Sequence, residues 1–226
     1  MYKIALLTLI SLPLFAGFFP QTIETSIDKI SGKTVHLSTP FPVNGMSGVV
    51  IHHYGENLNA ITRRIVQEKP SVAKLLSDDI IHHDKLPTIN TKVKTGDKVI
   101  GGYLYNNVLL LAPDAKTYAN ITSQYQKTWI HPDLFALFLA KEGDAVPSKK
   151  NLASFAKAYQ VGLIFIVTKK GAKLLDPISG KIVAEQKIAN LPDKAKSPFF
   201  MRFDEIDSGI FSSGSSQEYY KLMESL

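Results

Sequence analysis

The sequence contains no cysteine and only one tryptophan in its 226 residues. Without cysteine, the chain has no disulfide bonds, no thiolate metal ligands and no cysteine nucleophile. A lipid-accepting cysteine after an export signal is excluded for the same reason. Because 45% of the residues are hydrophobic and 20% are charged, the composition is that of a globular protein, which must be stable through packing alone.

The motifs of common enzymes are also missing. There is no glycine-rich phosphate loop, no G-x-G-x-x-G and no H-E-x-x-H. "GMSGV" resembles a nucleophile elbow, but its second glycine directly follows the serine, so the spacing does not fit. Asp176 lies in an Asp-Pro turn and Asp204–Asp207 in a polar segment, so neither forms a spaced acid–base pair. We therefore predict a protein that is not an enzyme.

Two histidine pairs, His52–His53 and His82–His83, are candidate metal ligands. On a strand, the two members of the first pair point to opposite faces and do not share one ion. A site would need one histidine from each pair together with a carboxylate from Asp78, Asp79 or Asp84. Half-exposed strand and loop histidines are the simpler interpretation, so we predict neither a metal nor a cofactor.

Residues 1–17 form the longest hydrophobic stretch of the chain. Lys3 precedes the apolar run "IALLTLISLPLFAG", and Ala16 and Gly17 are small residues suited to a cleavage site. We interpret the stretch as a cleaved signal peptide, the alternative being a retained N-terminal anchor. No later stretch reaches transmembrane length. The mature chain is therefore expected to be exported to the periplasm, the outer membrane or the cell surface, without a transmembrane segment.

The chain is basic, with a formal net charge of +6 and a pI near 9.3. Its basic residues are scattered and form no run interleaved with aromatic residues, so nucleic acid is not the expected partner. The remaining alternatives are a soluble basic surface, an interaction with anionic envelope polymers, and a protein partner that recognises lysines.

Residues 22–112 have the pattern of short strands joined by tight turns. "TSIDKISGKTVHLS" predicts a hairpin around Ser31 and Gly32, and "SGVVIHHY" and "NLNAITRRIVQE" predict strands. "SVAKLLSDD" is ambiguous between a strand and a short helix. "VKTGDKVIGGYLYNNVLLLAP" predicts two more strands, joined by a turn at Asn106 and Asn107. We therefore expect a small antiparallel β-barrel or sandwich-like half.

The hydrophobic period lengthens from Pro113, and residues 113–190 predict a helical segment followed by a three-stranded antiparallel meander. "PDAKTYANITSQYQ" predicts a short helix, "HPDLFALFLAKEG" predicts a second, and a third follows Ser148. "VGLIFIVT", "AKLLD" and "KIVAEQKI" predict the meander. Residues 191–226 are expected to form a loosely structured tail, with "SSGSS" as a linker and "QEYYKLME" as a short helix. The predicted fold class is α+β.

Trp129, His131 and Asp133 lie close together in "TWIHPDLFALFLAKEG" and look like the start of an active site. Pro132 suits the first position of a helix, Asp133 suits the positive end of its dipole, and Gly143 suits its C-terminus. We therefore interpret the three residues as structural. The helix is expected to bury one broad apolar face, formed by Leu134, Phe135, Leu137 and Phe138.

The sequence resembles the N-terminal domain of the bacterial plasminogen-binding protein A family in four stretches: "VNGMSGVVIHHY", "GGYLYNNVLLLAPDAKTYANI", "WIHPDLFALFLAKEG" and "YQVGLIFIVTKKGAKLLDPISGKIV". The resemblance covers roughly Thr25 to Gln186. Its specific parts are the strand-turn-strand ending in "LLLAP" and the "W-x-HPDLFA" block. It implies an exported, non-enzymatic protein of the bacterial envelope or surface that binds host plasminogen.

The kringle modules of plasminogen favour lysines, especially C-terminal ones, where an ammonium group and a carboxylate are presented together. Because the sequence ends in Leu226, the resemblance implies binding through internal lysines, namely Lys149, Lys150, Lys169 and Lys170. The alternative is a structural or assembly adaptor of the periplasm or outer membrane that has no host-directed function.

Overall fold

In a computed structural model, the chain folds into a closed barrel and a second, mixed sheet that is backed by helices. The structure describes residues 17–77, 91–203 and 216–226. Apart from residue 17, the predicted signal peptide lies outside these ranges, as does nearly all of the "SSGSS" linker.

Six antiparallel strands close the barrel, which confirms the predicted barrel-like half. The strands are β1 (Ile23–Ser31), β2 (Thr34–Leu37), β3 (Ser47–Gly55), β4 (Leu58–Lys69), β5 (Val72–Leu75) and β6 (Lys98–Gly101). Their order is β1-β2-β5-β4-β3-β6, and β6 pairs with β1 to complete the circle. Ile27, Val35, Val50 and Val99 are buried in its core, as expected when alternate residues of each strand point inward.

The second sheet has five strands. They are β7 (Asn107–Leu111), β8 (Thr128–Ile130), β9 (Leu163–Thr168), β10 (Gly171–Asp176) and β11 (Lys181–Gln186). The order is β11-β10-β9-β7-β8. β9, β10 and β11 form the predicted antiparallel meander, whereas β7 runs parallel to both β8 and β9. A helix, α1 (Ala115–Gln124), makes the crossover from β7 to β8.

The position of β7 corrects the prediction that it belongs to the barrel-like half. Val108 and Leu110 are buried in the core shared with the barrel, and Leu109 and Leu111 are buried in the core on the helical side. A strand that is buried on both faces belongs inside a sheet that is covered on both sides. The turn residues before β7 therefore lead the chain from one sheet into the other.

Three helices cover the outer face of the second sheet: α2 (Pro132–Glu142), α3 (Lys149–Tyr159) and α4 (Ser216–Ser225). The prediction of one apolar face for α2 is wrong in part. Phe135 is buried, but Leu134 and Leu137 are 41% and 48% exposed. The reason is that α2 is apolar almost all round, so its periodicity does not define a single buried face. Among the described residues, no helix has both the length and the hydrophobicity to cross a bilayer.

The C-terminal residues that the structure describes pack into the second core more closely than a loosely structured tail would. Phe199 and Tyr219 are fully buried. The Tyr219 hydroxyl lies 3.1 Å from the Leu111 carbonyl oxygen and 2.8 Å from that of Val167, so α4 is joined to two central strands. The burial of these aromatic residues depends on contacts with strands that are distant in sequence, and for that reason the local pattern does not reveal it.

Candidate functional site

The four predicted binding lysines lie at two exposed places on the second sheet and its helices. Lys149 and Lys150 begin α3, directly after its capping residue Ser148. Lys169 and Lys170 form the turn between β9 and β10. All four side chains are exposed, so their ammonium groups are accessible to a partner.

The fold brings the two lysine pairs to one end of the second sheet. Lys149 lies within electrostatic reach of Lys173, which follows Lys170 by three residues on β10. Lys187 is at the same end, because its backbone packs against Gly171, the residue that follows Lys170. A Cβ atom added to Gly171 would lie 2.9 Å from the Lys187 Cα atom. We define these residues as the lysine surface: Lys149, Lys150, Lys169, Lys170, Lys173 and Lys187.

Lys173 differs from the other members of the lysine surface because it is partly buried. Burial lowers the pKa of its ammonium group and the charge of Lys149 lowers it further, whereas Glu185 and Glu224 act in the opposite direction. Lys173 stands opposite Glu185 in the β10–β11 register, and its Nζ donates to the Glu224 carbonyl oxygen at 3.4 Å. Sequence reasoning missed Lys173 and its acidic neighbours. The pairing of "AKLLD" with "KIVAEQ" was the signal that could have revealed Glu185.

Trp129 and His131 have structural roles, as the helix-start pattern predicts. Trp129 lies on β8, with its ring centroid 6.3 Å from that of Phe165. His131 is the N-cap of α2, and its Nδ1 accepts the Asp133 backbone N–H at 3.2 Å. An accepting ring nitrogen carries no proton, and the lowered pKa of His131, caused mainly by burial, favours this neutral form. His131 is therefore a helix cap.

Asp133 joins α2 to the C-terminal segment. Its carboxylate accepts the Arg202 backbone N–H at 2.9 Å and the Arg202 Nε–H at 2.6 Å. Burial alone raises the pKa of Asp133, but the hydrogen bonds from Arg202 and the nearby His131 outweigh burial and lower it. The polar groups of this cluster are thus engaged with one another in holding the fold.

The histidines do not assemble a metal site within the described ranges, where no group of three or more metal-ligating side chains is found. His52 Nδ1 lies 2.7 Å from an Asp97 carboxylate oxygen, and His53 Nδ1 lies 2.9 Å from the Asn59 side-chain oxygen. The two neighbours thus have separate partners. The remaining candidate ligands and acids lie outside the described residues: His82, His83, Asp78, Asp79, Asp84 and Asp204–Asp207.

Asp176 is fully buried where the barrel meets the second sheet. Its Oδ1 accepts the N–H groups of Ile178 and Ser179 at 2.9 and 3.0 Å, which is the turn chemistry that the sequence predicts. Its Oδ2 accepts the Ser47 N–H and the Tyr105 hydroxyl, both at 2.7 Å. Burial and the Asp176 charge raise the pKa of Tyr105 far above its ordinary value. Asp176 therefore connects the two sheets.

A cleft of about 460 Å³ lies between the barrel and α3. Ser47 and Ile61 line it on the barrel side, and Lys157 and Gln160 line it on the α3 side. Tyr103 stands at the cleft with 46% of its surface exposed. The described residues that line the cleft include no carboxylate and no histidine.

The fold and the surface together define an α+β protein, a closed barrel joined to a helix-backed mixed sheet, whose candidate site is an exposed lysine surface. Residues 22–226 match the family model described as the N-terminal region of plasminogen-binding protein pgbA. The chain belongs to this family, which confirms the resemblance given by the sequence.

Two relatives, both named plasminogen-binding protein PgbA, come from Helicobacter pylori strains J99 and 26695. Each is 28% identical to the chain over 167 residues, which are 71% of this chain and 36% of the relative. The chain thus spans about a third of the length of these relatives. No solved structure matches the chain.

Proposed function

We propose that this chain is an exported, non-enzymatic protein of the bacterial envelope or surface that binds plasminogen through its lysine surface. The family supports the choice of partner, since its relatives are named for plasminogen binding. The observation that carries the proposal is that four exposed lysines, Lys149, Lys150, Lys169 and Lys170, lie at the start of α3 and in the β9–β10 turn, with Lys149 within electrostatic reach of the strand that follows this turn.

The chemistry of lysine suits such recognition. An ε-ammonium group is a compact charge on a flexible stem, with three donors that a binding pocket can surround with carboxylates and aromatic rings. The first turn of α3 and the β9–β10 turn hold the backbone of the four lysines on regular elements. A rigid backbone with flexible charged ends lets a partner engage one lysine while the others contribute to electrostatic steering.

Surface plasmon resonance on the purified mature chain tests this function. We expect plasminogen to bind at micromolar concentration or below, and a free lysine analogue to compete for the same sites. Raised salt should slow association, because exposed charges are screened. Absence of lysine-sensitive binding in this range would contradict the proposal.

Protease shaving of intact cells tests the proposed location. If residues 1–17 direct export and the protein reaches the surface, external protease should remove it while a periplasmic marker stays intact. Full protection of the chain in intact cells would contradict a role in binding plasminogen at the cell surface.

A second candidate function is an assembly adaptor of the periplasm or outer membrane, and the outward side of α2 is the observation that favours it. Leu134 and Leu137 expose 41% and 48% of their surface there, and an exposed apolar patch is typical of a protein-binding surface. Crosslinking of whole envelopes followed by purification would support the adaptor if one bacterial protein is recovered in constant ratio and its yield falls for Leu137→Ser.

A further inference from the structure

The lysine surface has two parts that differ in the charges around them. In the first part, Lys173 lies opposite Glu185 across the β10–β11 pair and donates to the backbone at Glu224. Lys149 lies within electrostatic reach of this same lysine. Because Lys149, Glu185 and Glu224 are all exposed, an accessible ammonium group and two accessible carboxylates surround one half-buried lysine. We call these four residues the mixed-charge cluster.

The second part is the β9–β10 turn. Lys169 and Lys170 are both exposed, and the neighbouring residue across the sheet edge is another exposed lysine, Lys187. Over residues 17–77, 91–203 and 216–226, neither Lys169 nor Lys170 forms an ion pair with a carboxylate. Within the part of the chain that the structure describes, the turn therefore presents positive charge without an acidic ion-pair partner.

We propose that the mixed-charge cluster is the part of the surface that a lysine-binding pocket of plasminogen recognises, with Lys149 as the inserted lysine and Glu185 and Glu224 as the accompanying carboxylates. The proposal rests on the function proposed above and narrows it to one site. A C-terminal lysine carries its own carboxylate, whereas an internal lysine needs one from a neighbouring side chain. The mixed-charge cluster supplies that neighbour through the fold.

Two physical arguments favour the cluster over the β9–β10 turn. A pocket that binds an ammonium group and a carboxylate at once makes charge-assisted hydrogen bonds to both, which are stronger and more directional than attraction to a cation alone. Lys173 also holds the arrangement together, because it is partly buried and bonded to the backbone of α4. The acids on β11 and α4 are therefore held beside Lys173, which lies within electrostatic reach of Lys149 at the start of α3.

Removing the two negative charges of the cluster distinguishes this proposal from simple electrostatic attraction, because the two explanations predict opposite changes in affinity. Glu185→Gln with Glu224→Gln keeps the shape of both side chains and raises the net charge by two. If plasminogen responds only to positive charge, this double variant binds more tightly. If it recognises the mixed-charge cluster, we expect the double variant to bind about tenfold more weakly despite its greater charge.

The experiment measures plasminogen binding by surface plasmon resonance, with and without the lysine analogue, for the mature chain and three double variants. Lys149→Gln with Lys150→Gln should also lose about tenfold, whereas Lys169→Gln with Lys170→Gln, the charge-matched control, should change affinity by less than about twofold. Thermal unfolding should remain unchanged in all three, because the altered side chains are exposed.

Two outcomes would overturn the inference. Unchanged or tighter binding by the double glutamine variant at Glu185 and Glu224, while the unaltered chain binds in a lysine-sensitive way, would leave the proposed function intact and remove the cluster as its site. Binding by the unaltered chain that is abolished by salt but not by the lysine analogue would overturn both, and would indicate general attraction to anionic surfaces.

Discussion

At the scale of single residues, Asp176 shows how one side chain can connect two sheets. A buried carboxylate is costly unless hydrogen-bond donors surround it, and four donors do so here, two from its own turn and two from Ser47 and Tyr105. The donors in the turn can be solvated if the carboxylate is lost. The two donors at the junction are held in place by the packing of the barrel against the second sheet.

We predict that Asp176→Ala lowers the free energy of unfolding by about 3 kcal/mol, because it leaves buried donors without a partner. Tyr105→Phe is the matched control, since it removes one of the same hydrogen bonds together with its donor and should cost only about 1 kcal/mol. Urea unfolding at neutral pH measures both. An effect of Asp176→Ala no larger than that of Tyr105→Phe would show that the carboxylate does not hold the junction.

His131 makes a prediction about pH. Its pKa in the folded protein lies below the ordinary value near 6.5, so below that pH the folded chain binds fewer protons at this site than the unfolded chain does. Stability from this residue is therefore present above about pH 6.5 and is lost as the pH falls through the lower, folded pKa. The corresponding loss for Asp133, whose pKa is also lowered, occurs in a more acidic range.

We expect His131→Asn to reduce the loss of stability between about pH 7.5 and pH 5.5, because asparagine caps a helix without titrating. At pH 8 the variant and the unaltered chain should differ by less than about 1 kcal/mol, since both residues then cap α2 as neutral acceptors. Urea midpoints measured across the range test this. Parallel pH profiles for the two proteins would contradict the assignment of the titration to His131.

At the scale of elements, local residue preferences in the sequence predict where the helices begin and end. The cap of α3 at Ser148 and the left-handed Gly143 at the end of α2, with φ of 75°, follow the local preferences. Gly162 is different, because it enters β9 where a Cβ atom would lie 2.0 Å from the Leu104 carbonyl oxygen. The local sequence explains Gly143 as a helix end, but it does not reveal the close approach at Gly162.

We predict that Gly162→Ala costs on the order of 3 kcal/mol or more, because the added methyl group collides with backbone. Gly143→Ala should cost about 1 kcal/mol, since its site has open space and only the left-handed conformation is strained. Urea unfolding of both variants measures the difference. A larger cost at Gly143 than at Gly162 would contradict the close approach of β9 to the segment before β7.

The strands and turns that sequence reasoning predicted are those with local signals, such as the hairpin of β1 and β2 and the meander of β9 to β11. The membership of β7 was missed because its pairing with β8 and β9 depends on contacts distant in sequence. Contacts distant in sequence also explain why the lysine surface was predicted only in part. The four predicted lysines are visible in the sequence as two adjacent pairs, whereas the acidic residues beside Lys173 are revealed only by strand register and by the packing of α4.

At the scale of the whole molecule, the second sheet is buried on both faces, by the barrel on one side and by helices on the other. Its end therefore presents turns and helix termini to solvent, and the lysine surface occupies this end. The formal charge of +6 is spread over the whole chain. If plasminogen were attracted by the net charge alone, removing lysines from any part of the surface would weaken binding equally. If it binds at a defined site, the loss of affinity depends strongly on which lysines are removed.

The most direct test compares two quadruple Lys→Gln variants that lower the net charge equally. One alters Lys149, Lys150, Lys169 and Lys170. The other alters four exposed lysines of the barrel half: Lys29, Lys69, Lys74 and Lys92. For plasminogen binding measured by surface plasmon resonance, we predict a loss of at least about tenfold for the first variant and less than about twofold for the second. Equal losses, or a larger loss for the barrel variant, would contradict the lysine surface as the binding site.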